Sequence, residues 1–113
     1  MSIKIRNLTL LTVMITVLAA CRGPTQPIEV DLGVLVEQPS EYTGRRVTTW
    51  GMLRTFDQPR HYWIETADFQ RVGVVPEQKI ASYVNEMVQV SGRFDIVAGA
   101  GRQLTVEHIT TYP

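Results

Sequence analysis

Residues 45–109 consist of five short segments rich in Val, Thr and aromatic side chains, and turn residues separate each segment from the next. Apolar and polar side chains alternate within the segments, which is typical of β-strands that bury one face. The predicted strands are 45–56, 61–66, 70–75, 87–96 and 102–109. This pattern predicts an all-β structure, and a chain of 113 residues has room for one domain.

Two short helices accompany the predicted strands. Asp31 is placed to cap a helix over residues 32–37, and Pro76 opens a second helix over residues 77–84. The second helix falls between the third and fourth strands. Because three strands, a helix and two more strands is the order of the five-stranded OB barrel, we expect that fold with a short N-terminal helix.

Two glycines lie inside predicted strands, where a bulge or a bend is expected. Gly51 would let the long first strand curve to join both halves of the sheet, and Gly92 marks a second bend. The motif P-x-x-Y-x-G at residues 39–44, followed by V-x-x-x-G at residues 47–51, resembles the opening of small periplasmic OB-fold lipoproteins. The resemblance covers about residues 30–110 and implies the fold rather than an activity.

Residues 1–21 have the pattern of a bacterial export signal. Lys4 and Arg6 make the start of the chain positive, and the thirteen residues 8–20 carry no charge. An apolar helix needs about 20 residues to cross a bilayer, so this run is short for a permanent anchor and typical of a signal-peptide core. An ordinary secretory signal and a short uncleaved anchor are the alternatives.

The run ends in Leu18-Ala19-Ala20-Cys21, which resembles the lipobox of bacterial lipoproteins. The resemblance implies that residues 1–20 are removed as a signal peptide and that Cys21 carries the lipid. Residues 21–27 would then be a flexible tether, and residues 28–113 the OB-fold domain. Two or three acyl chains, palmitate among them, would hold such a protein firmly in a membrane.

The charge of the chain argues against nucleic acid as a partner. Lys plus Arg equals Asp plus Glu at 11 each, and removal of the two basic residues of the signal leaves 9 − 11 = −2. That balance lacks the dense positive field of phosphate-backbone binding. We expect a monomer bound to the membrane by its lipid, with an envelope protein, a glycan or a small molecule as partner. Arg22, in the place where Asp commonly retains lipoproteins in the inner membrane, favours the outer membrane, facing the periplasm.

The sequence contains no familiar catalytic motif. A nucleophile elbow, a phosphate-binding glycine loop and a His-Glu-x-x-His helix are all missing. The two histidines, His61 and His108, have no short ligand spacing to a carboxylate, so no metal site is predicted. The lipid would use the single thiol, that of Cys21. We therefore expect a protein that is not an enzyme and holds no cofactor.

Strand alternation divides the side chains between a core and an outer face. The predicted core is Val47, Leu53, Tyr62, Ile64, Val72, Val74, Val88, Val90, Phe94, Leu104 and Val106. The outer face would present Trp50, Arg54, His61, Trp63 and Arg71, where OB domains stack their ligands. In the alternative interpretation one of the tryptophans covers the barrel against the N-terminal helix, and a one-residue bulge would exchange the two faces.

A second chemical hypothesis concerns the end of the chain. His108 and Tyr112 form a His-x-x-x-Tyr motif, which resembles that of the haem chaperone of cytochrome c maturation. The resemblance implies haem attached to His108 and ligated at iron by Tyr112. The predicted function is a lipid-anchored, periplasm-facing OB-fold module for binding or assembly without catalysis, and the alternative is a haem-binding or haem-delivery protein.

Overall fold

The computed structural model describes residues 26–113, which form six strands and two short α-helices. The strands are β1 (Ile28–Glu29), β2 (Arg45–Asp57), β3 (Arg60–Glu65), β4 (Arg71–Val75), β5 (Met87–Val97) and β6 (Gly101–Thr111). The helices are α1 (Leu32–Glu37) and α2 (Glu77–Ile80), with 3-10 turns at Pro39–Glu41 and Ala81–Tyr83. Within residues 26–113 no helix is long and apolar enough to cross a membrane.

The predicted signal peptide and the lipid-attachment residue Cys21 lie outside the described residues, as do residues 21–25 of the predicted tether. Removal of residues 1–20, a lipid on Cys21 and an envelope location therefore stay predictions.

Five of the six strands form a closed ring. The sheet order is β1-β2-β3-β4-β6-β5, and β5 pairs back onto β2. The long β2 closes the ring because its first part pairs with β5 and its last part with β3, and Met52 has a partner in both, Met87 and Glu65. The predicted mostly-β architecture with two short helices is confirmed.

Gly92 lies at an irregularity of the ring that glycine alone fits. The register between β5 and β6 shifts at Ser91/Gly92, so that β6 contributes Glu107 as one extra residue. A Cβ atom on Gly92 would overlap the carbonyl oxygen of Thr105. The predicted bend at this glycine is therefore a β-bulge, and it reverses the alternation of β6 beyond it.

Gly51 has a different role from the bulge that the sequence suggested. The register of β2 runs through it without a shift. A Cβ atom there would stand 3.0 Å from the carbonyl oxygen of Glu65 and 3.1 Å from Cδ2 of Leu32. Gly51 therefore allows α1 and β3 to approach β2 closely.

The interior of the ring contains the predicted core with one exception. Ten of the eleven predicted side chains are buried, and the eleventh, Tyr62, is half-buried because its hydroxyl donates to Glu77 Oε2 at 3.1 Å. The prediction omitted four apolar side chains that belong to the same core: Val30, Leu32, Leu35 and Ile80. They come from the N-terminal segment and α2, which pack against the strands of the ring.

The predicted elements differ from the structure in three details. A sixth strand, β1, pairs in parallel with β2 over two residues, too few for alternation to be recognised. The second helix ends at Ile80 and continues as a 3-10 turn instead of reaching residue 84. Asp31 does precede α1, but it caps through its backbone: its carbonyl accepts from Val34 N at 3.0 Å, and its side chain makes no cap bond within the described structure.

Candidate functional site

One outward-facing group of polar and aromatic side chains spans three neighbouring strands. The antiparallel register places Arg54 opposite Trp63 and Phe56 opposite His61. On the other side of β3 it places Glu65 opposite Arg71. We call this surface the β3 face, and its side chains are Arg54, Phe56, His61, Trp63, Glu65 and Arg71.

Glu65 lies at the centre of the β3 face and is only 6% exposed. Its carboxylate accepts from Trp63 Nε1 at 2.9 Å and from Arg54 Nε at 3.3 Å, and Arg71 Nε lies 3.5 Å away. The Trp63 hydrogen bond, followed by the two guanidinium groups, lowers the pKa of Glu65 against the opposing effect of burial. Glu65 is therefore ionised at neutral pH and fixes the positions of the three side chains around it.

The rings of the β3 face follow one another along the surface. His61 and Trp63 have centroids 5.1 Å apart and planes inclined by 31°, and Phe56 meets His61 edge-on at 6.2 Å. The guanidinium carbon of Arg71 lies 4.4 Å from the Trp63 centroid. Aromatic and guanidinium planes are the surfaces on which flat ligands stack. Since Phe56 and His61 are exposed, this series is open to such a ligand.

An open groove runs beside Trp63, because the residue opposite it on β4 has no side chain. That residue is Gly73, and the hollow of about 290 Å³ next to it is also bounded by Arg71 and Arg102. Arg102 donates from Nε to the carbonyl of Arg71 at 3.5 Å and has no ion pair within residues 26–113. Its charge is available to an anion in the groove.

The local charge of this region differs from that of the chain. Around Trp63 the single carboxylate of Glu65 is outnumbered by three guanidinium groups, those of Arg54, Arg71 and Arg102. This leaves a local excess of positive charge. Farther along the rim, Arg60 is neutralised, since it lies 3.5 Å from Asp57 and 3.3 Å from Glu77.

The structure brings together four of the five residues predicted for a ligand face: Arg54, His61, Trp63 and Arg71. The fifth, Trp50, is elsewhere. It stacks on Tyr112 with centroids 5.8 Å apart and planes inclined by 11°. Trp50 lies four positions before Arg54 on β2, which is about 13 Å at the rise of a strand. Trp50 therefore packs at the end of β6 and lies apart from the other four predicted residues.

The prediction also missed two members of the β3 face. Phe56 has the same alternation as Arg54 and could have been found by it. Glu65 shares the alternation of Trp63, but nothing in the sequence indicates that a strand carboxylate would be covered by its neighbours.

The His108 and Tyr112 side chains do not form a joint site. His108 is exposed on the outside of β6, and Tyr112 is engaged with Trp50. The step of four residues from one to the other spans about 13 Å of extended chain. Residues 26–113 also contain no group of three or more His, Cys, Asp or Glu side chains that could hold a metal ion.

Solved structures of known proteins resemble this chain, although no protein-family model and no curated protein sequence matches it. Replication protein A of U. maydis bound to single-stranded DNA matches with a TM-score of 0.52 and 18% identity, over 77% of this chain and 73% of that one. The Stn1-Ten1 complex of S. pombe matches with a TM-score of 0.54 and 13% identity, over 79% of each chain. An aspartyl-tRNA synthetase described as putative, from Leishmania major Friedlin, gives 0.52 and 14%, over 79% of this chain and 21% of that one.

These similarities correct two predictions. The exclusion of nucleic acid as a partner is wrong, because a protein of the same fold is seen bound to single-stranded DNA. The predicted function, a lipid-anchored binding or assembly module with haem handling as its alternative, is wrong on the same finding, whereas the lipid on Cys21 and the envelope location themselves stay predictions. The physical reason is that net charge averages over the whole surface and hides a local excess. At 13–18% identity the similarity itself shows the fold of this chain alone, which is the OB fold.

Proposed function

We propose that this domain binds single-stranded nucleic acid across the β3 face and does so without catalysis. The observation that carries the proposal is the series of Phe56, His61 and Trp63 rings, with the Arg71 guanidinium over the last of them. The buried carboxylate of Glu65 holds Trp63 and the arginines in place, so the surface is organised before a ligand arrives.

Stacking explains why the ligand would be single-stranded. The faces of bases in a duplex are covered by their neighbours, whereas a single strand can place a base on a protein ring. Each such contact contributes about 1–3 kcal/mol and tolerates any base. The shared fold supports the same ligand class, because the replication protein A structure contains single-stranded DNA.

The charge of the domain limits how the phosphates contribute. Residues 26–113 contain eight basic and eleven acidic side chains, a formal charge of 8 − 11 = −3. Long-range attraction of a polyanion is therefore absent, and the phosphates depend on Arg54, Arg71 and Arg102 at close range. We expect stacking to supply most of the affinity, and the salt dependence to be shallow.

The two tryptophans provide a matched test of the proposal, because one lies on the β3 face and the other on the end of β6. The probe is an oligothymidylate of about 15 nucleotides, near the upper end of the site size of an OB fold. With the purified full chain, Trp63→Ala should weaken binding by about 5-fold to 100-fold, the loss of one stacking contact. Trp50→Ala should change it by less than about 2-fold, since Trp50 packs on Tyr112 instead.

Circular dichroism would show whether each variant keeps its fold, and Trp63→Phe should retain most of the binding because it keeps a ring. Equal losses in Trp63→Ala and Trp50→Ala, or none in Trp63→Ala, would overturn the proposal.

A further inference from the structure

The turn between β3 and β4 is short and firmly held. Thr66 takes part in each hydrogen bond that holds this turn. Its backbone N–H donates to the Gln70 carbonyl at 3.0 Å, and its carbonyl accepts from Phe69 N at 2.9 Å. The Thr66 hydroxyl accepts from the backbone N–H groups of Asp68 and Gln70, both at 3.2 Å. These hydrogen bonds define a three-residue loop, 67–69, of which Phe69 is the last residue.

Phe69 has a backbone conformation that glycine adopts more readily than a residue with a bulky side chain. Its φ is +65°, in the left-handed region. Three-residue hairpin loops normally place Gly at this position, because a Cβ atom is strained there and a bulky side chain most of all. The other non-glycine residue with positive φ in residues 26–113 is Asn85, a type that tolerates it and that also accepts from Arg54 Nη1 at 2.8 Å.

Burial does not compensate Phe69 for this strain, since the side chain is 71% exposed. Its ring instead borders the hollow that Arg54, Trp63 and Arg71 also line. A strained backbone and an exposed aromatic ring thus coincide at the edge of the β3 face. Strained residues of this kind cluster at ligand contacts, where the surrounding structure holds them in place.

We propose that Phe69 is a second stacking residue for single-stranded nucleic acid, at the end of the β3 face farthest from the Phe56 ring. This inference rests on the proposed function and extends it: the bound strand would pass along β3 and place one base on Phe69 beyond those at His61 and Trp63. Phe69 then contributes to affinity at the expense of stability.

Substitution of Phe69 should change the affinity for the oligonucleotide and the thermal stability in opposite directions. Phe69→Asn keeps a residue that tolerates positive φ and removes the ring. It should raise Tm by about 4 °C, and it should weaken binding of the oligothymidylate of about 15 nucleotides at least about 5-fold. Phe69→Tyr keeps both the ring and the strain, so Tm and affinity should stay near those of the unaltered chain. Met87→Gln is the control and should leave affinity unchanged, because Met87 is 40% exposed on β5, which β2 separates from β3, and lies outside the hollow that Phe69 borders.

The outcomes distinguish this inference from the function it rests on. If Phe69→Asn binds as well as the unaltered chain while Trp63→Ala does not, Phe69 makes no contact and only the inference is overturned. A lower Tm in Phe69→Asn would mean that the ring stabilises the turn, which also overturns it. If the unaltered chain does not bind the oligonucleotide at all, the proposed function and the inference are both overturned.

Discussion

Glu65 is the residue that fixes the arrangement of its neighbours on the β3 face. Its side chain points outward by strand alternation, yet it is 6% exposed because Trp63, Arg54 and Arg71 cover it. A covered carboxylate is stable only when charged or polar groups satisfy it, and all three neighbours do so. Loss of its charge would therefore release the two arginines and the indole together.

The lowered pKa of Glu65 gives folding stability a pH dependence with a definite sign. A carboxyl whose folded pKa lies below its unfolded value stabilises the fold fully above the unfolded value, and that stabilisation is lost as pH falls through the folded pKa. At pH 7 Glu65→Gln should lower the free energy of unfolding by about 1 kcal/mol. Below the ordinary value of 4.5 the difference between the two proteins should shrink.

Urea unfolding at pH 7 and at pH 3.5 measures this difference directly. The difference between the free energies of unfolding of the two proteins removes the pH dependence that both share. Glu107 contributes to that shared part, because its hydrogen bond to Arg46 lowers its pKa. A gap between the two proteins that widens at low pH would contradict the assigned role of Glu65.

At the scale of elements, the bulge of β5 and β6 is the point where the ring turns. It depends on Gly92, since the carbonyl of Thr105 occupies the space of a Cβ atom. Gly92→Ala should lower the free energy of unfolding by about 2–4 kcal/mol, because backbone rather than a flexible side chain must move. Thermal or urea unfolding followed by circular dichroism measures the loss.

Gly73→Ala is the matched control for this substitution, since a Cβ atom there meets its nearest neighbour, the Arg102 carbonyl, at 3.4 Å. Its stability should change by less than about 1 kcal/mol. Equal stabilities of the two alanine variants would show that the close approach at Gly92 does not constrain the ring.

Strand alternation was enough to predict most elements, because a strand that buries one face has to repeat every two residues. The five predicted strands end within two residues of the observed ones, and α1 is reproduced at 32–37. Alternation could not indicate β1, which is two residues long, or the consequence of the bulge. Beyond Glu107 the inward positions change parity, so that Ile109 packs on the core while His108 faces outward.

At the scale of the whole molecule, the candidate site depends on register between strands, which the sequence does not show. Alternation placed Trp50 and Trp63 on one outer face, but pairing decides which outward residues are neighbours. It joins Trp63 to Arg54 and leaves Trp50 beside Gln89. Net charge does not show where on the surface the charges lie. For that reason the neutral total led to the wrong exclusion of nucleic acid as a partner.

Binding of single-stranded nucleic acid at the β3 face can be measured by a fluorescence titration in which Trp63 is the only tryptophan. The chain has two, so Trp50→Phe leaves the indole of the β3 face as the sole reporter. Addition of oligothymidylate should quench its emission to saturation. For a single strand, each phosphate contact contributes about −0.7 to the slope of the logarithm of the binding constant against the logarithm of the salt concentration. Two or three such contacts therefore predict a slope of about −1.4 to −2.1. Trp63 emission that does not respond to the oligonucleotide at low salt would show that the strand does not bind at the β3 face.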